Sequence, residues 1–306
     1  MKFLEIKNIS KKYGNHDALN QVSISIPTKG IFGLLGPNGA GKTSLIRIIT
    51  QILEPDSGEI IWEGKPLNRN LLHKIGYLPE ERGLYKKMPV EEQLIYFGKL
   101  RNLTTQQAKV KIQHWLEKLE LLQWKNKNLG ELSKGMQQKV QFIASVLHDP
   151  EIIILDEPFS GFDPLNSEII TQEILGLKAL GKTIVFSTHR METVEALCDT
   201  IALLNLGKCI LEGKLSEVKE KFKKNIFRIE GEGTLPQNSK FYKIISHTYN
   251  NNKLTADIQL SSDFNSNDLL QEILPHVKIG GFNELLPSMN EIFISQVEKS
   301  LQKNNE

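Results

Sequence analysis

Residues Gly36-Pro37-Asn38-Gly39-Ala40-Gly41-Lys42-Thr43 fit the pattern G-x-x-x-x-G-K-[ST], whose chemistry is the binding of phosphate. The glycines let successive backbone N–H groups turn inward around phosphate oxygens. A helix that starts within the motif points its positive end at them, and Ser44 follows in the same turn. Lys42 supplies a point charge, and Thr43 has the hydroxyl that a magnesium ion takes in such a loop. At an average glycine usage of about 7%, a chance match in a chain of this length is on the order of one in a hundred. The pattern therefore predicts a nucleotide site.

A second run, Ile152-Ile153-Ile154-Leu155-Asp156-Glu157, is an apolar strand that ends in two carboxylates. A sheet interior tolerates two adjacent acids only where they emerge at its carboxyl edge, beside a ligand. Asp156 then reaches the magnesium shell. Glu157 lies next to the terminal phosphate, where it can polarise or deprotonate an attacking water.

These groups need a scaffold that brings strand ends together. Ile31 to Leu35 is a compact apolar run that leads into the Gly-rich turn, and Leu45, Ile46, Ile48 and Ile49 continue as a helix. Val22 to Ile26 alternates like a half-buried strand, and with Leu4 to Ile9 it forms an N-terminal antiparallel β part. From about residue 88 to 147 the pattern is helical, with Val110, Leu116 and Leu119 among polar residues, then Val140, Ile143, Ala144 and Leu147 at helical spacing. A helix from Pro164 and a strand from Thr183 to Ser187 follow. Strands alternating with helices predict an α/β fold with a parallel sheet, interrupted by a helical insertion.

Leu132-Ser133-Lys134-Gly135-Met136-Gln137-Gln138 precedes the helix that buries Val140 and Ile143. With the two motifs above, in this order, the chain resembles the ATP-binding subunits of ABC transporters, whose signature usually reads Leu-Ser-Gly-Gly-Gln; the likeness covers residues 1 to about 220. It implies that Ser133 and Gly135 face the γ-phosphate of ATP bound by a second, similar chain, as a helix N-terminus aimed at an anion can. It matches Tyr13 with the aromatic that stacks on adenine. His189 corresponds to the switch histidine that contacts the γ-phosphate and holds the attacking water. Ser160-Gly161-Phe162-Asp163 resembles the loop that couples the two sites, with Phe162 where Leu is more usual. The resemblance implies ATP and Mg2+ as ligands and a homodimer, or a heterodimer with a similar ATPase, closed around two ATP molecules. It also implies a transmembrane permease partner, whose cytoplasmic helix docks on the helical insertion and the loop around Glu80 to Tyr85.

The sequence departs from the common pattern in two places. Glu80, in Tyr77-Leu78-Pro79-Glu80-Glu81-Arg82-Gly83-Leu84-Tyr85, stands where the family usually has a magnesium-contacting Gln, and Lys134 and Met136 replace Gly and Gln of the signature. Both departures resemble a subgroup of bacterial exporter ATPases of the ABC-2 type, the sodium-efflux and antibiotic-export group, so the resemblance implies export. A soluble ABC-type ATPase acting on ribosomes or DNA is the rival reading. Such proteins usually join two ATPase cores or insert a long coiled coil, and here one loop, one signature and one acidic pair complete the set.

The chain's 306 residues leave room for a large domain and a small one. With 40% apolar and 24% charged residues the chain is an ordinary globular protein, and 38 basic against 36 acidic side chains give no field that recruits nucleic acid. Cys198 and Cys209 are too few for a disulfide framework, which suits a reducing, cytoplasmic compartment. No eighteen apolar residues run together, so attachment to the inner face of the membrane is expected through a partner. Lys219, Lys221, Lys223 and Lys224 surround Phe222 and open an Asn-rich stretch, placing a domain boundary near residue 220. Residues 221–306, with strand-like Ile226 to Ile229 and Leu254 to Leu260 and a helix near Asn267 to Leu274, are expected to form a small accessory α+β domain without catalytic residues.

Overall fold

In a computed structural model, the described residues are all but Met1, Arg82, Asn238, Asn252 and Glu306, with no side-chain description for Lys2 or residues 303–305. In chain order the first part contains β1 (Lys2–Tyr13), β2 (His16–Pro27), β3 (Gly30–Leu35), α1 (Lys42–Ile49), β4 (Ser57–Trp62), β5 (Lys65–Pro66) and β6 (Ile75–Leu78). Three helices follow, α2 (Val90–Leu100), α3 (Thr105–Lys118) and α4 (Lys134–Val146), and they fill the expected helical insertion. Then come β7 (Ile152–Asp156), α5 (Pro164–Ala179), β8 (Thr183–Thr188), α6 (Met191–Leu197), β9 (Thr200–Asn205), β10 (Lys208–Lys214) and α7 (Leu215–Lys221).

Two sheets build this part. β2-β1-β4-β5 is antiparallel, and its buried Leu4, Ile6, Ile9, Val22, Ile24 and Ile26 belong to one core with Phe32, Leu34 and Leu45. The other sheet has the order β10-β9-β3-β8-β7-β6. Its neighbours are parallel except for β10, which returns antiparallel along β9. β3, β7 and β8 are buried at every position, as parallel strands covered on both faces must be. Their register brings the motifs together: Leu35 pairs with Thr188 and Asp156 with Ser187, so the carboxyl ends of three adjacent strands finish at one level.

The remaining elements are β11 (Ile226–Gly233), β12 (Tyr242–Asn250), β13 (Lys253–Leu260), α8 (Ser266–Ile273), β14 (Val277–Leu285) and α9 (Met289–Asn305). Their antiparallel sheet, β12-β13-β11-β14, closes a core of its own around Ile229, Ala256, Ile258, Leu269 and Ile273. The chain divides into two compact units between Leu215 and Ser216, and residues from Gln296 onward belong with the first. The division thus falls at the start of α7, ahead of the lysine-rich run that suggested residue 220, and the second unit stops short of the end of the chain. Among the described residues no helix is long and apolar enough to cross a membrane.

Candidate nucleotide-binding site

The loop between β3 and α1 is shaped by close backbone approach. Gly36 has φ 152° and Gly41 φ 105°. A Cβ on Gly36 would run into the Leu204 carbonyl, and one on Gly41 into that of Ala18, so neither position accepts a side chain. α1 starts at Lys42 with no side-chain cap, which leaves its first N–H groups available to an anion. Lys42 is buried, and its Nζ donates to the carbonyls of Gly36 at 2.7 Å and Pro37 at 3.1 Å. Burial pushes its pKa down, opposed by the carboxylates of Glu157, Asp156 and Glu80.

Two strands away, Asp156 is 1% exposed. Its Oδ1 accepts from Ser187 Oγ, while Oδ2 is buried with no protein partner. Glu157 has φ 49°, a left-handed conformation that a non-glycine residue holds only when its surroundings impose it. Its N–H donates to Ser187 Oγ at 3.1 Å, and its Oε1 lies 2.8 Å from His189 Nδ1. The end of β7 and the end of β8 thus hold each other through Ser187, Glu157 and His189.

These groups share a cavity of about 400 Å³ lined by Tyr13, Asn38, Gly39, Ala40, Gly41, Lys42, Thr43, Ser44, Glu80, Asp156, Glu157, Ser160 and His189, together with His16 and Ala18. Gly36 and Pro37 stand behind the loop, presenting carbonyls to Lys42. His16 was not anticipated. A hairpin turn at Gly14-Asn15 sets it opposite Tyr13, a pairing that Tyr-Gly-Asn-His between two strands could have signalled.

Ser133, Gly135 and Asp163 do not line this cavity. Ser133 caps α4, its Oγ accepting from the Met136 N–H, and Gly135 lies against Asn166, whose Nδ2 would be 3.1 Å from a Cβ there. Asp163 caps α5 and accepts from both the backbone and the side chain of Asn166, which holds its carboxyl below the usual range. Gln138 Nε2 donates to the Ser160 carbonyl, and Gln141 Nε2 to those of Pro79 and Glu81, tying α4 to the loops that carry Ser160 and Glu80.

The donor set fits magnesium held jointly with a nucleotide. Among the described residues no three His, Cys, Asp or Glu side chains gather closely enough to cage an ion alone. Magnesium commonly takes one or two protein oxygens and completes its shell with phosphate and water. The unpartnered, buried Oδ2 of Asp156, which lines the same cavity as Thr43, is such an oxygen.

Comparison with known proteins places this geometry. The ABC transporter family matches residues 19–160, and the C-terminal domain of DrrA1-3-like ATP-binding proteins matches residues 213–297. The chain is 41% identical to the ABC transporter ATP-binding protein YhaQ of Bacillus subtilis, over 96% of this chain and 98% of that one. The chain belongs to the ABC transporter ATP-binding proteins. It is an ATP-binding and ATP-hydrolysing transporter subunit. This ATPase is also 35% identical to the Nod factor export ATP-binding protein I of Sinorhizobium fredii, over 69% of this chain and 62% of that one. The structure of the ATP-binding subunit of an ABC transporter superposes with a TM-score of 0.67 at 30% identity, covering 72% of this chain and 93% of that one. The dimeric cassette MJ0796 does so with 0.64 at 25% identity, covering 69% and 98%.

Proposed function

We propose that this ATPase powers an exporter: two copies, or one copy and a similar ATPase, close around two ATP molecules and drive a transmembrane permease from the cytoplasmic face of the membrane. Export is supported by the likeness to the Nod factor export protein and by the Lys134, Met136 and Glu80 departures. The observation that carries the reading is the meeting of Lys42 and Thr43 with Asp156, Glu157 and His189 in one cavity.

The cavity residues divide the work among them. Tyr13 stacks on the adenine, and Lys42 exchanges the Gly36 and Pro37 carbonyls for phosphate oxygens. The loop N–H groups from Gly39 to Ser44 hold the β- and γ-phosphates in place. Magnesium, held by Thr43 and Asp156 with Glu80 facing the same space, supplies charge neutralisation on the phosphates. Glu157 takes a proton from water as the water oxygen bonds to the γ-phosphorus. The bond from that phosphorus to the bridging oxygen breaks, giving ADP and phosphate. His189 positions the water and steadies Glu157 through the contact at Nδ1. Ser133 and Gly135, outside their own chain's cavity, serve the nucleotide of the other copy, and Asp163 lies in the loop between the two sites.

Glu157→Gln tests the assignment. The variant should bind ATP as the parent does and hydrolyse it about 10²–10⁴-fold more slowly, trapping the closed dimer. Turnover at the parental rate would remove Glu157 from the role of base. The same variant, pulled down from native membranes with ATP and then ADP, should bring a polytopic membrane protein. Ribosomal or DNA-associated proteins alone would overturn the transporter role.

A further inference from the structure

Glu80 is carried by a stretch whose own backbone gives it little support. β6 ends at Leu78, and among the described residues no backbone–backbone hydrogen bond involves residues 79–84. Two buried side-chain amides on neighbouring helices hold the stretch instead. Gln93 of α2, fully buried, accepts the Tyr85 N–H at 2.6 Å through Oε1. Gln141 of α4 is 7% exposed, and its Nε2 donates to the Pro79 carbonyl at 3.0 Å and the Glu81 carbonyl at 3.3 Å.

A primary amide carries two N–H donors on one nitrogen, so a single side chain can engage both carbonyls. Those carbonyls belong to the residues immediately before and after Glu80, and the short arc that carries its side chain is therefore gripped at both ends. The ring of Pro79 stiffens one of them. Gln138, three residues earlier and on the same face of α4, holds the Ser160 carbonyl in the same way. The Glu80 side chain so held lines the nucleotide cavity with Thr43 and Asp156, and it also borders the narrow cleft shared by Gln138, Gln141 and Glu157. Its charge reaches Lys42, where with Glu157 and Asp156 it opposes the lowering of the ammonium's pKa by burial.

We propose that Gln141 is the positioning residue for a second magnesium carboxylate: its grip on the carbonyls of Pro79 and Glu81 keeps Glu80 turned into the cavity, beside Thr43 and Asp156, as an oxygen donor to the ion or its bound water. This role rests on the magnesium site assigned above and adds the group that makes Glu80 part of it. Magnesium is commonly bound by one or two carboxylates, with phosphate and water completing its shell. Side chains that orient a metal ligand contribute to affinity although they never touch the ion.

The test measures the affinity of the full chain for a fluorescent, non-hydrolysable ATP analogue by anisotropy, once with saturating Mg2+ and once with EDTA. The ratio of the two constants is the enhancement by magnesium. Gln141→Met keeps the bulk of the side chain and removes both donors. It should lower the enhancement about tenfold, as loss of an orienting partner does, without weakening binding in EDTA. Glu80→Ala should lower it at least as far, and adding Gln141→Met to Glu80→Ala should lower it no further, because the grip then has nothing to position. Thermal unfolding checks that each variant folds. An undiminished enhancement in Gln141→Met, a loss shared equally by Mg2+ and EDTA, or a further fall in the double variant overturns the proposal. An undiminished enhancement in Glu80→Ala overturns it even if Gln141→Met does not fold. A parent chain with no enhancement at all would overturn both this role and the magnesium site beneath it. The measurement involves neither turnover nor a membrane partner, so the role of Gln141 can fail while those of Glu157 and the permease stand.

Discussion

Single residues in this ATPase are held in states that a quiet core would avoid. Glu157 sits at a left-handed φ, Asp156 keeps a buried oxygen unbonded, and Lys42 is buried against the carbonyls of Gly36 and Pro37. A magnesium-nucleotide would give the Asp156 oxygen a partner and Lys42 a counter-charge, whereas the φ of Glu157 is imposed by the chain around it. His148 is held differently, as a neutral ring whose burial puts its folded pKa at about 4 against an ordinary value of 6.5. Between those values the unfolded chain binds more protons than the folded one, so stability is full above about pH 6.5 and falls as the pH drops towards 4. The loss reaches up to about 3 kcal/mol, as an order of magnitude. Thermal unfolding at stepped pH should show His148→Gln losing less stability across this window than the parent; parallel curves would remove the residue from the acid response. Sequence pattern revealed Lys42, Thr43, Asp156 and Glu157 because each lies in a run whose order carries the chemistry. His16 escaped it, because what places it is a two-residue turn.

Among the elements, the buried strands were the most legible. Ile31 to Leu35, Ile152 to Leu155 and Thr183 to Ser187 announce themselves as apolar runs because both faces of that sheet are covered. β12 went unseen, since all but one of its side chains are at least partly exposed and it lacks the alternation of a half-buried strand; β14 was hidden by Gly280-Gly281 in its middle. α4 was legible from its apolar spacing, and the structure adds Ser133 as its cap. Replacing Ser133 with Ala removes the acceptor for the Met136 N–H and should cost about 1 kcal/mol of stability in the isolated chain. Its effect on turnover should be far larger if α4 points its first turn at the other copy's nucleotide. A chain carrying Ser133→Ala paired with one carrying Lys42→Ala confines both lesions to one composite site, so about half of the parental ATPase rate is expected. A rate no higher than that of the all-mutant dimers would argue against shared sites.

Taken whole, the molecule is two units threaded by one chain that leaves the first at Leu215 and rejoins it at Gln296. The lysine cluster near Phe222 marked the passage well enough from sequence, but nothing in the composition of the last residues foretold the return. Within the first unit the buried Asn205, last residue of β9, donates from Nδ2 to Ser300 Oγ at 3.2 Å. A chain ended after Ser295 should therefore keep the cavity residues yet unfold several degrees lower, with faster amide exchange along β9; an unchanged midpoint would show the returning segment to be dispensable. The same threading sets an order of events during synthesis. The phosphate loop, the acidic pair and His189 all leave the ribosome before the second unit has been made, whereas the segment that completes their own unit emerges only after it. The nascent ATPase domain therefore waits, unfinished, for a neighbour to be translated, and a message cut short anywhere in the second unit yields a product whose first unit lacks its closing piece.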